Sequence, residues 1–207
     1  MSRPTDFIKE YKYYTKDWHD YYHCIVSLIS NNMFVYEIGC GRGGLLKYLN
    51  EIKNCTVTGC DSSDTAIQLC KKKGIKVDKI DIEKQNIKGK YDVIILCAVL
   101  EHLLDPLGTL KKIKKNIKKD GFIIVGVPNF SFIKFRLRYL IGANAKRFGE
   151  SEEDKRLGVQ PYGHIQFFNK ATLMDCLKKA NYKPIEWRYH KYPLDVFSSF
   201  IAVKAKK

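Results

Sequence analysis

A short apolar run at residues 33–37 opens directly into Gly39-Cys40-Gly41-Arg42-Gly43-Gly44, and residues 45–49 resume at helical spacing. No other feature restricts the fold of this chain as much. A strand that turns through glycines into a helix is the first half of a βαβ unit. Glycine enters left-handed backbone without strain and lets a ligand approach the main chain closely. Two overlapping readings of the turn stand at this point. Gly39-x-Gly41-x-x-Gly44 is the dinucleotide fingerprint, whereas Glu37-x-Gly39-x-Gly41-x-Gly43 sets an acid ahead of the glycines. The two imply different cofactors.

The same rhythm continues. Strands are expected at residues 55–60, 75–80, 92–96 and 122–127, with helices at 64–73 and 105–119 between them. Strands separated by helices imply a parallel sheet with right-handed crossovers. After Pro128 the pattern changes: a helix at 132–141, a polar stretch to 160, a helix at 170–180, then strands at 182–189 and 196–203. The last two are too close for a helical crossover and must be antiparallel. Ahead of the first strand, Trp18, Tyr21, Tyr22, Ile25, Val26 and Ile29 recur at helical spacing within an aromatic-rich segment, 7–29, of one or two helices. The expected fold is α/β and Rossmann-like. It has a mostly parallel seven-stranded sheet, helices on both faces, an antiparallel last strand pair, an N-terminal helical lid and an inserted helix after the fifth strand. One domain is expected over 1–207, with the lid at 1–31 and the inserted segment at 129–165.

Composition narrows the class. With 207 residues and 45% hydrophobic residues the chain can build one full α/β core. No apolar run reaches the roughly 20 residues needed to span a bilayer. Met1-Ser2-Arg3-Pro4 lacks the apolar segment of a secretory leader, so a cytoplasmic location is expected. The seven cysteines form no paired Cys-x-x-Cys motifs; they read as small hydrophobes, not as a zinc cage or a disulfide frame. A net charge of +15 suits an anionic partner, but lysine far outnumbers arginine, and a lysine-rich face is often only solvated. Charge alone does not name the partner.

The residues beyond the glycine turn discriminate further. Asp61 in "VTGCDSS" ends the second strand, placed for ribose hydroxyls under either reading. Asp81 in "VDKIDIE" ends the third and suits the exocyclic amine of an adenine. "YDVIILCAVLEHLLDP" then gives a strand, a polar turn and a helix start. From about residue 33 onward the chain resembles the class I S-adenosylmethionine-dependent methyltransferases. "VYEIGCGRGGLLKYL", "TGCDSS", "IDIE", "CAVLEHLLDP" and "KKDGFIIVGVPN" follow in that family's order. The resemblance implies S-adenosylmethionine as cofactor. It implies Glu37 for the ammonium, Gly39, Cys40 and Gly41 along the methionine part, and Asp61 with Ser62 for the ribose. Asp81 with Ile82 is implied for the adenine, Cys97 and Ala98 for the sulfonium end, and Tyr14 on the lid. "VPNFSFIKFRLRYLIG" and "YGHIQFFNKATLMDCLKKANY" are similar to MetW-type and neighbouring small-molecule methyltransferases. "LEHL" resembles the ubiquinone-pathway O-methyltransferases, where acids and a histidine can ligate a metal. Ala98 stands in the place of one of those acids, so no metal is expected, and Glu101 is read as a capping or orienting residue.

Methyl transfer is an in-line displacement and needs a base only when the acceptor must lose a proton. His102, Tyr162 and His164 are the candidate bases. Between residues 121 and 149 the chain carries Lys134, Arg136, Arg138, Lys146 and Arg147 and no acid. Asn129, Arg136, Arg138 and Arg147 are the expected acceptor contacts, since a guanidinium fork matches phosphate or carboxylate. The expected activity is methylation of O or N on a small anionic metabolite, phosphorylated or nucleotide-linked, such as a surface-glycan precursor. The alternatives are a MetW-like partner subunit and a nicotinamide-dependent Rossmann enzyme. No nucleic-acid or membrane partner is expected, and nothing in the sequence specifies the oligomeric state.

Overall fold

A computed structural model describes residues 18–140 and 164–207. Tyr14, Arg147 and Tyr162 lie outside the described residues, with most of the lid and inserted segment, and so does the side chain of Arg138. The sheet contains β1 (Phe34–Ile38), β2 (Thr56–Asp61), β3 (Val77–Lys79), β4 (Tyr91–Cys97), β5 (Ile117–Pro128), β6 (Lys183–Tyr189) and β7 (Phe200–Lys206). Its order is β3-β2-β1-β4-β5-β7-β6. The first five of these strands in space pair in parallel, and β7 runs antiparallel to both β5 and β6. The expected seven-stranded, mostly parallel sheet with an antiparallel last strand pair is therefore present. Strand order reverses between β1 and β4, which opens a crevice at their carboxyl ends.

Helices α1 (Tyr22–Val26), α2 (Gly44–Lys53), α3 (Asp64–Lys72), α4 (Pro106–Ile113), α5 (Ile133–Leu140) and α6 (Lys170–Lys179) cover the sheet. The strand β4, "YDVIILC", explains why both faces are covered. Ile94 and Leu96 enter one core with Leu110, Ile113, Leu173 and Leu177, while Val93 and Ile95 enter the other with Ile25, Leu45 and Leu49. A strand buried on both sides is continuously apolar, with alternate residues serving opposite faces. Capping fixes the helix starts: Asp105 accepts from the Gly108 N–H ahead of α4, and Asn169 and Thr172 form a reciprocal box ahead of α6. All seven cysteines are free, and every one except the half-buried Cys176 is buried. No helix among the described residues is long and apolar enough to cross a membrane.

Several expected boundaries are corrected. The helix placed at 105–119 ends at Ile113, passes through a 3₁₀ turn at Lys114–Asn116, and gives way to β5 at Ile117. Asn116 donates its side-chain amide to the carbonyls of Ile87 and Gly89, and Ile117 pairs with Tyr91. The strand expected at 196–203 begins only at Phe200, after a 3₁₀ turn at Asp195–Phe197. The third strand shrinks to three residues, and α1 stops at Val26.

Candidate active site

Three glycines of the turn after β1 adopt left-handed backbone: Gly39 (φ +66°), Gly41 (+51°) and Gly43 (+72°). They do different work. A Cβ on Gly39 would lie 2.5 Å from Val99 Cγ2, and one on Gly43 would lie 2.8 Å from Cys70 Sγ; at Gly41 it would meet nothing within 4 Å. Gly39 and Gly43 are therefore needed for close packing. Gly41 leaves bare backbone facing open space.

Beside this turn, Glu37 is 2% exposed and its Oε2 has no hydrogen-bond partner among the described residues. Burial pushes its carboxyl well above the usual carboxylate range. A buried acid with no counter-charge is unfavourable, and a cationic ligand would relieve it. Asp61 is held at the same place: Oδ2 accepts from the Gly41 N–H at 2.8 Å and Oδ1 from the Ser63 N–H at 2.9 Å. Each oxygen keeps a lone pair for a ligand hydroxyl. Ser62 is exposed next to it. Further along the edge, Asp81 accepts from the Glu83 N–H and pairs with Lys84, whose hydrogen bond holds the Asp81 carboxyl below its ordinary range; Ile82 is buried behind it. The Cys40 side chain lies in an apolar cluster with Leu46, Cys70 and Ile75. Cys97 is buried at the end of β4, and Ala98 follows in left-handed backbone (φ +54°) with its N–H donating to Gly126. An alanine held there stores strain at the crevice. These elements build a cradle with a buried acid whose Oε2 has no partner among the described residues, bare backbone and two further carboxylates, which fits an aminoacyl-nucleoside cofactor.

The far wall is the 3₁₀ turn Leu100–His102. Glu101 is 2% exposed, and neither carboxylate oxygen has a hydrogen-bond partner among the described residues. Burial pushes its carboxyl up to about 8. His102 Nε2 lies 4.0 Å from Glu101 Oε1, and the His102 and His164 rings are 5.0 Å apart. Burial, with His102 alongside, lowers His164 to about 4, so it is neutral at pH 7. The Glu101 carbonyl accepts from both Ile165 and Gln166 N–H groups at 3.0 Å, which straps the later segment across the turn. One ligand-capable atom from each of Glu101, His102 and His164 lies within 4.8 Å of the others, a set that a divalent ion could occupy. Glu101, expected to cap or orient, is buried beside the two histidines. Its position beside His102 in "LEHL" was the available signal, but its depth of burial was not legible.

One expected acceptor contact is overturned. Asn129 is fully buried; its Nδ2 faces the Asp195 carbonyl, Asp195 Oδ1 and the Ser198 carbonyl, and its Oδ1 accepts from Ser131 N–H. Its amide is fully buried and ties β5 to the β6–β7 connection. Arg136 is exposed on α5 next to exposed Lys134. Phe130 packs against Phe167 at 4.3 Å and Phe135 at 5.9 Å, just beyond the carboxyl end of β5.

The family described as "Methyltransferase domain" matches residues 12–186. The ubiquinone biosynthesis O-methyltransferase of Actinobacillus pleuropneumoniae serotype 5b is 30% identical over 198 residues, covering 84% of this chain and 81% of that protein. The malonyl-[acyl-carrier protein] O-methyltransferase of Priestia megaterium is 32% identical over 113 residues, 49% of this chain; the match spans only 41% of that relative's length. In fold, a Thermotoga maritima S-adenosylmethionine-dependent methyltransferase described as a possible histamine N-methyltransferase aligns with a TM-score of 0.65 at 19% identity. That alignment covers 97% of this chain and 91% of the other.

Proposed function

The chain belongs to the methyltransferase domain family and is an S-adenosylmethionine-dependent enzyme, and from that premise we propose that it methylates a hydroxyl oxygen of a small acceptor. The cofactor supplies a methyl group on a cationic sulfur, open to in-line attack. In this reading Glu37 holds the ammonium, Gly41 lets the methionine part lie against backbone, and Cys40 contributes main chain only. Asp61 and Ser62 take the ribose, Asp81 and Ile82 the adenine, and Cys97 with Ala98 lines the sulfonium end.

The observation that carries oxygen as the target is the buried Glu101 beside two histidines. A hydroxyl must lose its proton as it attacks, whereas a neutral amine attacks with a lone pair already free. His102 takes the hydroxyl proton as the new C–O bond forms and the S–C bond breaks. The imidazolium so formed lies 4.0 Å from the Glu101 carboxylate, whose ionised form it favours. His164, neutral and facing His102, orients the ring or accepts in its place.

For the acceptor, Lys134 and Arg136 on α5 support an anionic group, phosphorylated or nucleotide-linked, with surface-glycan precursors as one class. Phe130, Phe135 and Phe167 support a flat apolar part beside it. A soluble metabolite acted on in the cytoplasm suits this arrangement; neither nucleic acid nor membrane enters it. The test is to incubate the protein with isotopically labelled S-adenosylmethionine and panels of hydroxylated acids, sugar nucleotides and amines. Mass spectrometry should show the label on oxygen in an anionic product. Transfer to amines alone would overturn the proposal.

A further inference from the structure

The helix α1 and the connection after β6 bring His23, Cys24 and His190 together, with one ligand-capable atom of each within 4.8 Å of the others. None of the three is among the residues proposed above for methyl transfer. Cys24 is fully buried and His190 is 8% exposed. His190 is fixed by its backbone: its N–H donates to the Phe200 carbonyl at 3.0 Å, and its carbonyl accepts from Ser198 Oγ and the Tyr192 N–H at 2.9 Å each. Its Nδ1 is buried with no hydrogen-bond partner among the described residues. Native interiors seldom leave such an atom bare.

The tautomer of His23 follows from its neighbour. Its Nδ1 bonds to the Asp20 carbonyl oxygen, which only accepts, so Nδ1 carries the hydrogen. In the neutral ring Nε2 then holds a lone pair, and it lies 3.4 Å from Cys24 Sγ. With that tautomer the Cys24 thiol is the donor of the pair. A main-chain carbonyl on one imidazole nitrogen, with the other aimed at a thiol, is the arrangement that surrounds metal-bound histidine.

We infer that His23, Cys24 and His190 form a binding site for a zinc-class divalent ion that joins α1 to the β6–β7 connection. One thiolate and two neutral imidazoles are a borderline-soft donor set. With Zn–S near 2.3 Å and Zn–N near 2.0–2.1 Å, tetrahedral S and N ligands sit about 3.5 Å apart. The Sγ–Nε2 spacing already matches, and the third ligand has only to close from within 4.8 Å. Three protein ligands leave the fourth position to water. The ion replaces the thiol proton, which goes to solvent, and no electron is transferred. Burial pushes the free thiol up to about 12, Arg188 opposing, so without a metal Cys24 is a poor nucleophile. Ligands at 23, 24 and 190 form no sequence motif, and this is why cysteine spacing gave no zinc signal. The site does not depend on the proposed acceptor chemistry.

Cobalt(II) is the probe, added to the chelator-treated full chain. A thiolate-to-cobalt charge-transfer band should appear, with one zinc ion competing it away. His164→Gln should keep the band, which separates this site from the Glu101 cluster. Cys24→Ser should abolish it. The partly exposed His23→Gln, a variant that keeps the buried core intact, should weaken cobalt affinity at least about tenfold, with unchanged metal-free circular dichroism. Cobalt binding without the band, a band retained in Cys24→Ser, or undiminished affinity in His23→Gln would each overturn the site.

Discussion

Glu37 and Glu101 are both 2% exposed, and each has carboxylate oxygen without a hydrogen-bond partner among the described residues, yet they face different chemistry. If Glu37 receives the cofactor ammonium, binding converts a carboxyl raised by burial into a paired carboxylate. S-adenosylhomocysteine binding should then release a proton, and affinity should rise with pH until free Glu37 ionises. Glu37→Gln should flatten that dependence; an unchanged pH slope in the variant contradicts the pairing. His102→Ala should lower turnover by about 10²-fold or more while leaving cofactor affinity intact, as expected for a base. The glycines give a sharper contrast. Gly39→Ala drives its Cβ into Val99, so it should lower stability by about 1–3 kcal/mol. Gly41→Ala meets no atom, so beyond roughly 1 kcal/mol of left-handed strain its effect should fall on cofactor affinity. Thermal melts and calorimetry on the two variants separate these outcomes, and identical behaviour would contradict the division of labour.

At the level of elements, the glycine turn, β4 and the antiparallel closing strands were legible because each has a local signature. The signals are left-handed glycines, a continuous apolar run, and a connection too short for a helix. The end of α4 was not. Ile117 continues the helical apolar stripe of Leu110 and Ile113, and it is buried in the observed strand as it would be in the helix. Burial therefore could not choose; pairing with Tyr91 and the Asn116 bonds did. The expectation for Asn129 fails for a related reason. A polar residue at the sheet's carboxyl edge looks available until its partners at 195 and 198 are known, and those lie about 70 residues away in sequence. Asn129→Ala should accordingly lower stability by about 1–3 kcal/mol, through unpaired buried groups, with acceptor KM unchanged. A raised KM at unchanged melting temperature would return it to the acceptor site.

Across the whole molecule the buried titratable groups set a pH profile. Glu101, raised from 4.5 to about 8, and Glu37, also raised, keep protons in the folded state that the unfolded chain gives up. The Glu101 contribution is fully present below about 4.5 and drains away as pH climbs toward 8, and that of Glu37 is lost in the same direction. His164, lowered from 6.5 to about 4, acts in the opposite sense: its contribution is full above 6.5 and lost as pH falls toward 4. The two trends oppose one another below 6.5. Melting temperature of the metal- and cofactor-free protein should therefore fall most steeply between about pH 6.5 and 8. S-adenosylhomocysteine should make that fall shallower by pairing Glu37; a flat or rising profile would contradict the assignment. The central claim is that the crevice between β1 and β4 is a cofactor cradle built on Glu37, Gly41 and Asp61. Calorimetric titration with S-adenosylhomocysteine tests it most directly. The titration should give one site per chain, weakened by about 1–3 kcal/mol in Asp61→Ala, and no binding of NADH. Saturable NADH binding without S-adenosylhomocysteine binding, or full affinity in Asp61→Ala, would contradict it.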